Sequence, residues 1–200
     1  SFFANMSSTF QENGISLLTS PLKTLRICQD KRAFIIFCKE HALPYIPTYL
    51  TLEELPQNET HFIIKERYSF SPKRFYSFTT RDIPLPILQN PIFQPKVEGV
   101  EYSIDVYRSR RTQEVRALVR RRDIVIGSEA YFTTPVVHVA LESAAKRAAE
   151  CLEIEGHALF QAIETKGQKL YFIECNPRIG GASTASFNNG LNSIEWFIQE

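Results

Sequence analysis

The stretch that decides the fold is "FIECNPRIGGAS", residues 172–183. It opens as an apolar strand, but three polar side chains arrive at alternate positions, Glu174, Asn176 and Arg178. Side chains two residues apart on a strand share a face, so these groups would be presented together. A proline and a pair of glycines then break the strand pattern. A core strand has no reason to place such groups on one face, so the stretch indicates a functional site.

The segment before it, "HALFQAIET" (residues 157–165), is also strand-like, and the "KGQ" linker at 166–168 predicts a β-hairpin. In that hairpin Gln161 can lie opposite Glu174 on an otherwise apolar surface. A buried carboxylate without a partner costs several kcal/mol. Something must therefore offset the charge of Glu174.

A magnesium ion would balance that charge, because Mg²⁺ takes oxygen ligands and is usually shared with phosphate. Glu174, Asn176 and Gln161 all offer oxygen donors, and Arg178 suits phosphate. A plainer interpretation pairs Glu174 with Arg178 at a strand end and makes Asn176-Pro177 an ordinary turn. Each residue alone favours that interpretation, whereas the four polar residues together favour a metal site.

Composition narrows the class of protein. The chain has 200 residues, of which 44% are apolar, and this is enough for a packed core. A net charge of +1 gives no support for nucleic acid as a partner. The four cysteines have no CxxC spacing, which indicates reduced, buried thiols in a cytoplasmic protein and no zinc site. No segment is apolar over a membrane-spanning length, so no membrane partner is expected.

The order of predicted elements favours an α+β fold with antiparallel sheets. The predicted helices are 2–14, 30–43 and 136–156, and the predicted strands are 15–18, 43–50, 61–67, 92–97, 101–109, 114–121, 123–127, 157–165 and 169–176. Residues 68–90 are predicted to be irregular. The first residue is not Met and the ending "SIEWFIQE" reads as an unfinished helix, so we expect a piece of a longer protein.

The metal-site stretch resembles the Glu-x-Asn-Pro-Arg strand of the ATP-grasp superfamily, and the likeness runs from about Asp30 to the end of the chain. It is most similar to the large chain of carbamoyl-phosphate synthase, and more distantly to biotin carboxylase. The resemblance implies two α+β lobes with mixed or antiparallel sheets that grip ATP between them. Residues 1–29 would be a remnant of, or linker from, a preceding N-terminal domain, 30–97 the small lobe, and 98–200 the large lobe with the metal site.

The resemblance also implies roles for individual residues. Lys31 and Lys65 would contact the ATP phosphates, Gln94, Pro95, Lys96 and Val97 the adenine, and Glu101 the ribose; Gln161, Glu174 and Asn176 would ligate the metal, and Lys65 and Arg178 would act in catalysis. A solvated helix-start lysine is the plainer interpretation of Lys31, and an exposed strand residue that of Glu101. The basic run 120–122 is open to two interpretations, a solvated strand edge and a ligand-facing strand.

The activity implied is that of an ATP- and Mg²⁺-dependent (or Mn²⁺-dependent) ligase of the carbamoyl-phosphate synthase type. It would activate a carboxylate as an acyl phosphate for attack by an amine or similar nucleophile. The resemblance also implies a small-molecule acceptor substrate and allows a homodimer. One departure favours an alternative. Residues 66–78, "ERYSFSPKRFYSF", contain no glycine where the family has a Gly-rich phosphate loop. The alternative is a regulatory or degenerate nucleotide-binding module without ligase activity.

Overall fold

The computed structural model describes residues 2–68, 75–79, 88–127 and 129–200. Its helices are α1 (Phe2–Asn5), α2 (Ser7–Glu12), α3 (Leu22–Gln29), α4 (Lys31–Glu40), α5 (Val139–Cys151), α6 (Thr184–Phe187) and α7 (Ser193–Ile198). Its strands are β1 (Phe62–Glu66), β2 (Phe75–Phe78), β3 (Pro91–Pro95), β4 (Val100–Arg108), β5 (Val115–Ile126), β6 (Glu129–Val136), β7 (Gly156–Glu164) and β8 (Leu170–Asn176). In the part of the chain so described, no helix is both long and apolar enough to cross a membrane.

The strands form two sheets. One has three strands in the order β2-β1-β3, and the other has five in the order β6-β5-β4-β7-β8. Every strand pair among the described residues is antiparallel. The predicted α+β class with antiparallel sheets is therefore confirmed.

The five-stranded sheet has one apolar face and one polar face. On the apolar face, Ile104 of β4 and Phe160 of β7 pack with Phe34 of α4 and Leu141 of α5 in the main core. These side chains are essentially inaccessible to water. Burial of apolar surface in this core makes the largest favourable contribution to the free energy of folding. The alternate residues of the same strands point to the other face, which carries the predicted metal ligands.

The three-stranded sheet has a core of its own on one face, built from Leu55, Phe62, Ile64 and Phe93. The other face carries the alternate residues. Since Ile63 pairs with Gln94 and Lys65 pairs with Ile92, all four side chains lie on that second face. A lysine and a glutamine are thus placed on the face that this core leaves uncovered.

Two predicted strands are wrong and four elements were not predicted. Residues 15–18 and 43–50 are irregular, apart from a single bridge between Tyr49 and Phe93. The two prolines of 43–50 lack N–H groups and cannot continue a ladder. Helices α3 and α6 and strands β2 and β6 were missed, and β5 is one strand where the sequence suggested two.

Two predictions concern segments that are only partly described. Of the segment 68–90, residues 69–74 and 80–87 lie outside the described residues, and residues 69–74 are also the middle of the glycine-free segment 66–78. Helices α3 and α4 pack in the core of the five-stranded sheet, through Cys28 and Phe34 among others. The proposed domain boundaries at residues 29 and 97 stay a prediction.

Candidate functional site

The predicted metal ligands meet at one end of the β7–β8 hairpin. Gln161 lies directly opposite Glu174, an arrangement that the predicted hairpin allows, and Leu159 lies opposite Asn176. The Asn176 side-chain amide donates to a Glu174 carboxylate oxygen at 2.9 Å. A register shift between Gln161 and Ala162 returns Phe172 to the apolar face, so the same strand serves both the site and the core.

Arg122 joins this group from β5. Its guanidinium donates to Glu101 and to the side-chain carbonyl of Gln161, both at 2.9 Å, and its side chain is only 4% exposed. The basic run is therefore split by the alternation of the strand. Arg121 is half exposed and pairs with Asp123 on the surface, whereas its two neighbours face the polar side of the sheet. The solvated interpretation holds for Arg121 alone, and a ligand-facing role for this strand stays a prediction.

Arg120 enters a second, fully buried polar group centred on Asp105 of β4. The guanidinium donates twice to one carboxylate oxygen, at 2.9 and 2.7 Å, and the Ser186 hydroxyl donates to the same oxygen at 2.6 Å. The other carboxylate oxygen accepts from Ser183 and from Nε2 of His157, the latter at 3.0 Å. Neither Asp105 nor Arg120 is more than 1% exposed.

This buried group holds the segment that follows β8. Ser183 also accepts from the backbone N–H of Gly180 at 2.9 Å, which ties residues 180–183 to the sheet. A Cβ on Gly180 would lie 2.6 Å from Cδ2 of Leu159, so any other residue here would force the Leu159 side chain to move. Burial alone would raise the pKa of Asp105, but the hydrogen bond from His157 and the charge of Arg120 outweigh it and lower the pKa to about 2. The carboxylate is therefore charged at neutral pH.

Lys65 brings the three-stranded sheet into electrostatic contact with the hairpin. Its side chain is buried, and burial lowers its pKa to about 8. The charge of Glu174 raises this pKa and the charge of Lys31 lowers it. The structure therefore brings together two predicted phosphate ligands and one predicted metal ligand, although they come from α4, β1 and β8.

Asp30 fixes the start of α4 and hence the position of Lys31. Its side chain accepts from the backbone N–H groups of Arg32 and Ala33, so Asp30 is the N-cap of the helix. It also forms a two-bond ion pair with Arg67, at 2.8 and 2.5 Å, while the Lys31 amide donates to the Arg67 carbonyl at 3.0 Å. Burial raises the pKa of Asp30, but the Arg67 hydrogen bond and others lower it below its usual value.

The predicted adenine segment runs from the end of β3 toward β4. Gln94 is fully buried, and its side-chain N–H donates to the Thr48 hydroxyl at 2.6 Å. Its side-chain oxygen has no hydrogen-bond partner among the described residues. The Lys96 amide donates to the His61 carbonyl at 2.8 Å, so this N–H is already used. Pro95 and Val97, on either side of it, are half-buried.

Two predicted residues are engaged in other contacts. Glu101, the expected ribose ligand, is 40% exposed at its side chain and is paired with Arg122. Arg178 is exposed, and its guanidinium donates to the neighbouring carbonyl of Ile179 at 3.1 Å. It therefore stands outside the hydrogen-bonded group formed by Glu174 and its neighbours. Its catalytic role stays a prediction.

The donor set at the hairpin fits magnesium only in combination with another source of oxygen. Within residues 2–68, 75–79, 88–127 and 129–200, no three His, Cys, Asp or Glu side chains cluster as a metal site. The hairpin offers one carboxylate, on Glu174, and two amide oxygens, on Gln161 and Asn176. Mg²⁺ is bound in this way when phosphate oxygens complete its octahedron. The nearby lysines 31 and 65 are suited to those phosphates.

Three residues of the site were not selected from the sequence: Arg122, Asp105 and Thr48. Arg122 had a usable signal, because it stands two positions after Arg120 and so shares its strand face. Asp105 interrupts an apolar run at a spacing of four from Glu101, which places both on one face. Thr48 carried no signal, since its partner Gln94 is 46 residues away.

Solved structures with a similar fold are nucleotide-binding carboxylases and related synthetases. A biotin carboxylase–β-γ-ATP complex from Campylobacter jejuni has a TM-score of 0.81 and 14% identity, over 98% of this chain and 51% of that one. A second structure is the biotin carboxylase domain dimer of 2-oxoglutarate carboxylase from Hydrogenobacter thermophilus, with MgADP, ADP and bicarbonate. Its TM-score is 0.79 at 15% identity, and the match covers 99% of this chain and 51% of that one. N5-carboxyaminoimidazole ribonucleotide synthetase from Thermotoga maritima has a TM-score of 0.74 and 17% identity, and the match covers 92% of this chain and 51% of that one.

At these identities the likeness shows the fold, and the chain spans about half the length of these structures. A search of curated protein sequences gave no significant match. The two-lobed ATP-grasp fold expected from the sequence is confirmed. The narrower likeness to carbamoyl-phosphate synthase stays a prediction.

The family is shown by a sequence model described as "ATP-grasp in the biosynthetic pathway with Ter operon", which matches residues 88–200. This range covers more than half of the chain. It includes the adenine segment, the arginine-bearing strand and the β7–β8 hairpin described above. The chain belongs to the ATP-grasp family.

Proposed function

We propose that this chain is the nucleotide-binding part of an ATP- and Mg²⁺-dependent ligase that activates a carboxylate as an acyl phosphate. The observation that carries the proposal is the meeting of Gln161, Glu174 and Asn176 at one end of the β7–β8 hairpin, with Lys65 under the influence of the Glu174 charge. This combination of oxygen donors and cationic side chains suits a metal–phosphate group.

The protein groups would act by position and charge. Lys31 and Lys65 would neutralise phosphate oxygens, and Arg122 would hold Gln161 and Glu101 in place through its two hydrogen bonds. Mg²⁺, held by Glu174, Gln161 and Asn176, would supply charge neutralisation at the phosphates when bound. A carboxylate oxygen would attack the γ-phosphorus of ATP, and ADP would leave to give the acyl phosphate. An amine would then attack the acyl carbon, inorganic phosphate would leave, and the amine would lose a proton as the amide bond forms. The acceptor would be a small molecule.

A binding assay paired with a turnover assay tests the proposal. Calorimetry with ATP and Mg²⁺ should show binding, and phosphate release should rise when carboxylate and amine acceptors are supplied together. Tight binding with no turnover for any acceptor would instead favour the regulatory module, the reading supported by the glycine-free segment 66–78. Absence of nucleotide binding would contradict both functions.

The pH dependence of nucleotide binding tests the role of Lys65. Since burial lowers its pKa to about 8, the free protein loses this positive charge as the pH rises above 8. Nucleotide phosphates favour the protonated lysine, so binding in that range requires proton uptake. The affinity for MgADP should fall about tenfold between pH 7 and pH 9.5.

The matched control is Lys65→Arg, because a guanidinium stays charged throughout this range. Its affinity for MgADP should stay within about twofold from pH 7 to pH 9.5. Calorimetry in buffers of different ionisation enthalpy measures the proton uptake directly. A wild-type affinity that does not change with pH would exclude Lys65 as the phosphate ligand.

Homodimer formation is supported by one comparison. The Hydrogenobacter thermophilus biotin carboxylase domain is a dimer in its structure. We infer that this chain, or the protein that contains it, can associate in the same way. Light scattering coupled to size-exclusion chromatography would show a mass of about 46 kDa for two copies of the 23.0 kDa chain.

A further inference from the structure

The buried amide of Gln94 is held in one orientation by Thr48. The Thr48 hydroxyl donates its single hydrogen to the Ile46 carbonyl at 3.0 Å. The hydroxyl can therefore only accept in its 2.6 Å contact with Gln94, so the nitrogen end of the amide must face Thr48. This relay, from Gln94 through Thr48 to Ile46, decides which end of the amide points away.

The end that points away is an acceptor without a donor. The Gln94 side-chain oxygen is buried and has no partner within the described ranges of the chain. An unpaired buried carbonyl is costly, and a native structure retains one where a ligand completes it. A ligand that offers an N–H group would satisfy it.

The side of the sheet on which this oxygen lies connects it to the nucleotide site. Gln94 pairs with Ile63, and Ile63 shares a face with Lys65, the buried lysine influenced by Glu174. Tyr49 packs into the core on the opposite face, which leaves Thr48, its neighbour in the chain, on the side of Gln94. The free acceptor and the phosphate-binding lysine therefore belong to one face.

We propose that Thr48 is a specificity-determining residue, which orients Gln94 so that its side-chain oxygen accepts a hydrogen bond from the exocyclic amine of adenine. The inference rests on the proposed nucleotide function and adds the recognition of the base. Hypoxanthine is nearly the same size but carries a carbonyl oxygen where adenine carries the amine. That oxygen would face the Gln94 oxygen, so two acceptors would meet without a hydrogen.

The test compares the affinities for ADP and IDP, which differ in this group and are not hydrolysed at a γ-phosphate. With Mg²⁺ present, calorimetry on the wild-type chain should show about 10-fold to 100-fold tighter binding of ADP. Thr48→Val keeps the shape and removes the hydroxyl, which frees the amide to turn. Its preference for ADP should fall to within about threefold. Thr48→Ser keeps the hydroxyl and should keep the wild-type preference.

The outcomes separate this inference from the function on which it rests. Binding of neither nucleotide to the wild-type chain would contradict the proposed function itself. Binding of ADP with an unchanged preference in Thr48→Val would overturn only the role of Thr48, and so would a wild-type chain that does not discriminate. Thr48→Ala supplies the same comparison if the valine variant does not fold, as judged by its melting temperature.

Discussion

Replacing Glu174 with glutamine is expected to lower Mg²⁺-dependent ATP turnover by about 100-fold to 1000-fold while the chain stays folded. Glutamine has the shape of glutamate and can still accept the hydrogen bond from Asn176. It removes only the charge, and this is the single carboxylate among the three predicted metal ligands. The Mg²⁺–phosphate group would then be held by neutral oxygens alone.

Phosphate release in the presence of acceptors measures this loss, and circular dichroism verifies the fold. Glu150→Gln is the matched control, because it makes the same chemical change at an exposed position of α5. This helix packs on the apolar face of the sheet, opposite the face that carries the predicted metal ligands. The control should keep wild-type turnover. Full activity in Glu174→Gln would show that the metal is held elsewhere.

Replacing Asp105 with alanine is expected to produce the largest loss of stability, about 3–5 kcal/mol in the free energy of unfolding. The change leaves Arg120 buried with its charge unpaired and deprives Ser183, Ser186 and His157 of their shared acceptor. Urea unfolding of the wild-type and variant chains measures the difference. Asp123→Ala is the comparison, since its ion pair with Arg121 lies on the surface, and its unfolding midpoint should be close to that of the wild type.

The same carboxylate predicts a loss of stability in acid. Because the folded pKa of Asp105 is lowered from 3.8 to about 2, its contribution is present above pH 4 and is lost as the pH falls from about 4 to 2. The expected contribution is about 2 kcal/mol, and it should be missing in Asp105→Asn. An acid-unfolding curve of that variant identical in slope to the wild type would contradict the charged, buried carboxylate.

The β7–β8 hairpin could be predicted from the sequence because its signals are local. Alternating polar residues, a short turn and a Pro-Arg ending indicate the hairpin, whereas the register shift that sets Gln161 opposite Glu174 has no signal in the sequence. The Asp105 group could not be predicted in this way, because Asp105 and Ser183 are 78 residues apart and only the pairing of β4 with β7 brings the segments together. Asp105 does interrupt an apolar run, but that interruption does not identify its partners.

The failures near the start of the chain have a similar cause. The apolar segments 15–18 and 43–50 have the composition of strands, but a strand exists only where a partner offers backbone hydrogen bonds. Two prolines in the second segment leave it a single bridge, beside Phe93. That bridge is still important, since it places Thr48 against Gln94.

The central claim is that the end of the β7–β8 hairpin holds a metal ion together with nucleotide phosphates. Electron paramagnetic resonance of Mn²⁺, titrated with and without ADP, tests it most directly. The wild-type chain should bind Mn²⁺ and ADP together at least about tenfold more tightly than either alone, and Glu174→Gln should lose that gain while it binds ADP alone as before. Equal binding of Mn²⁺ with ADP by the wild-type and Glu174→Gln chains would contradict the claim.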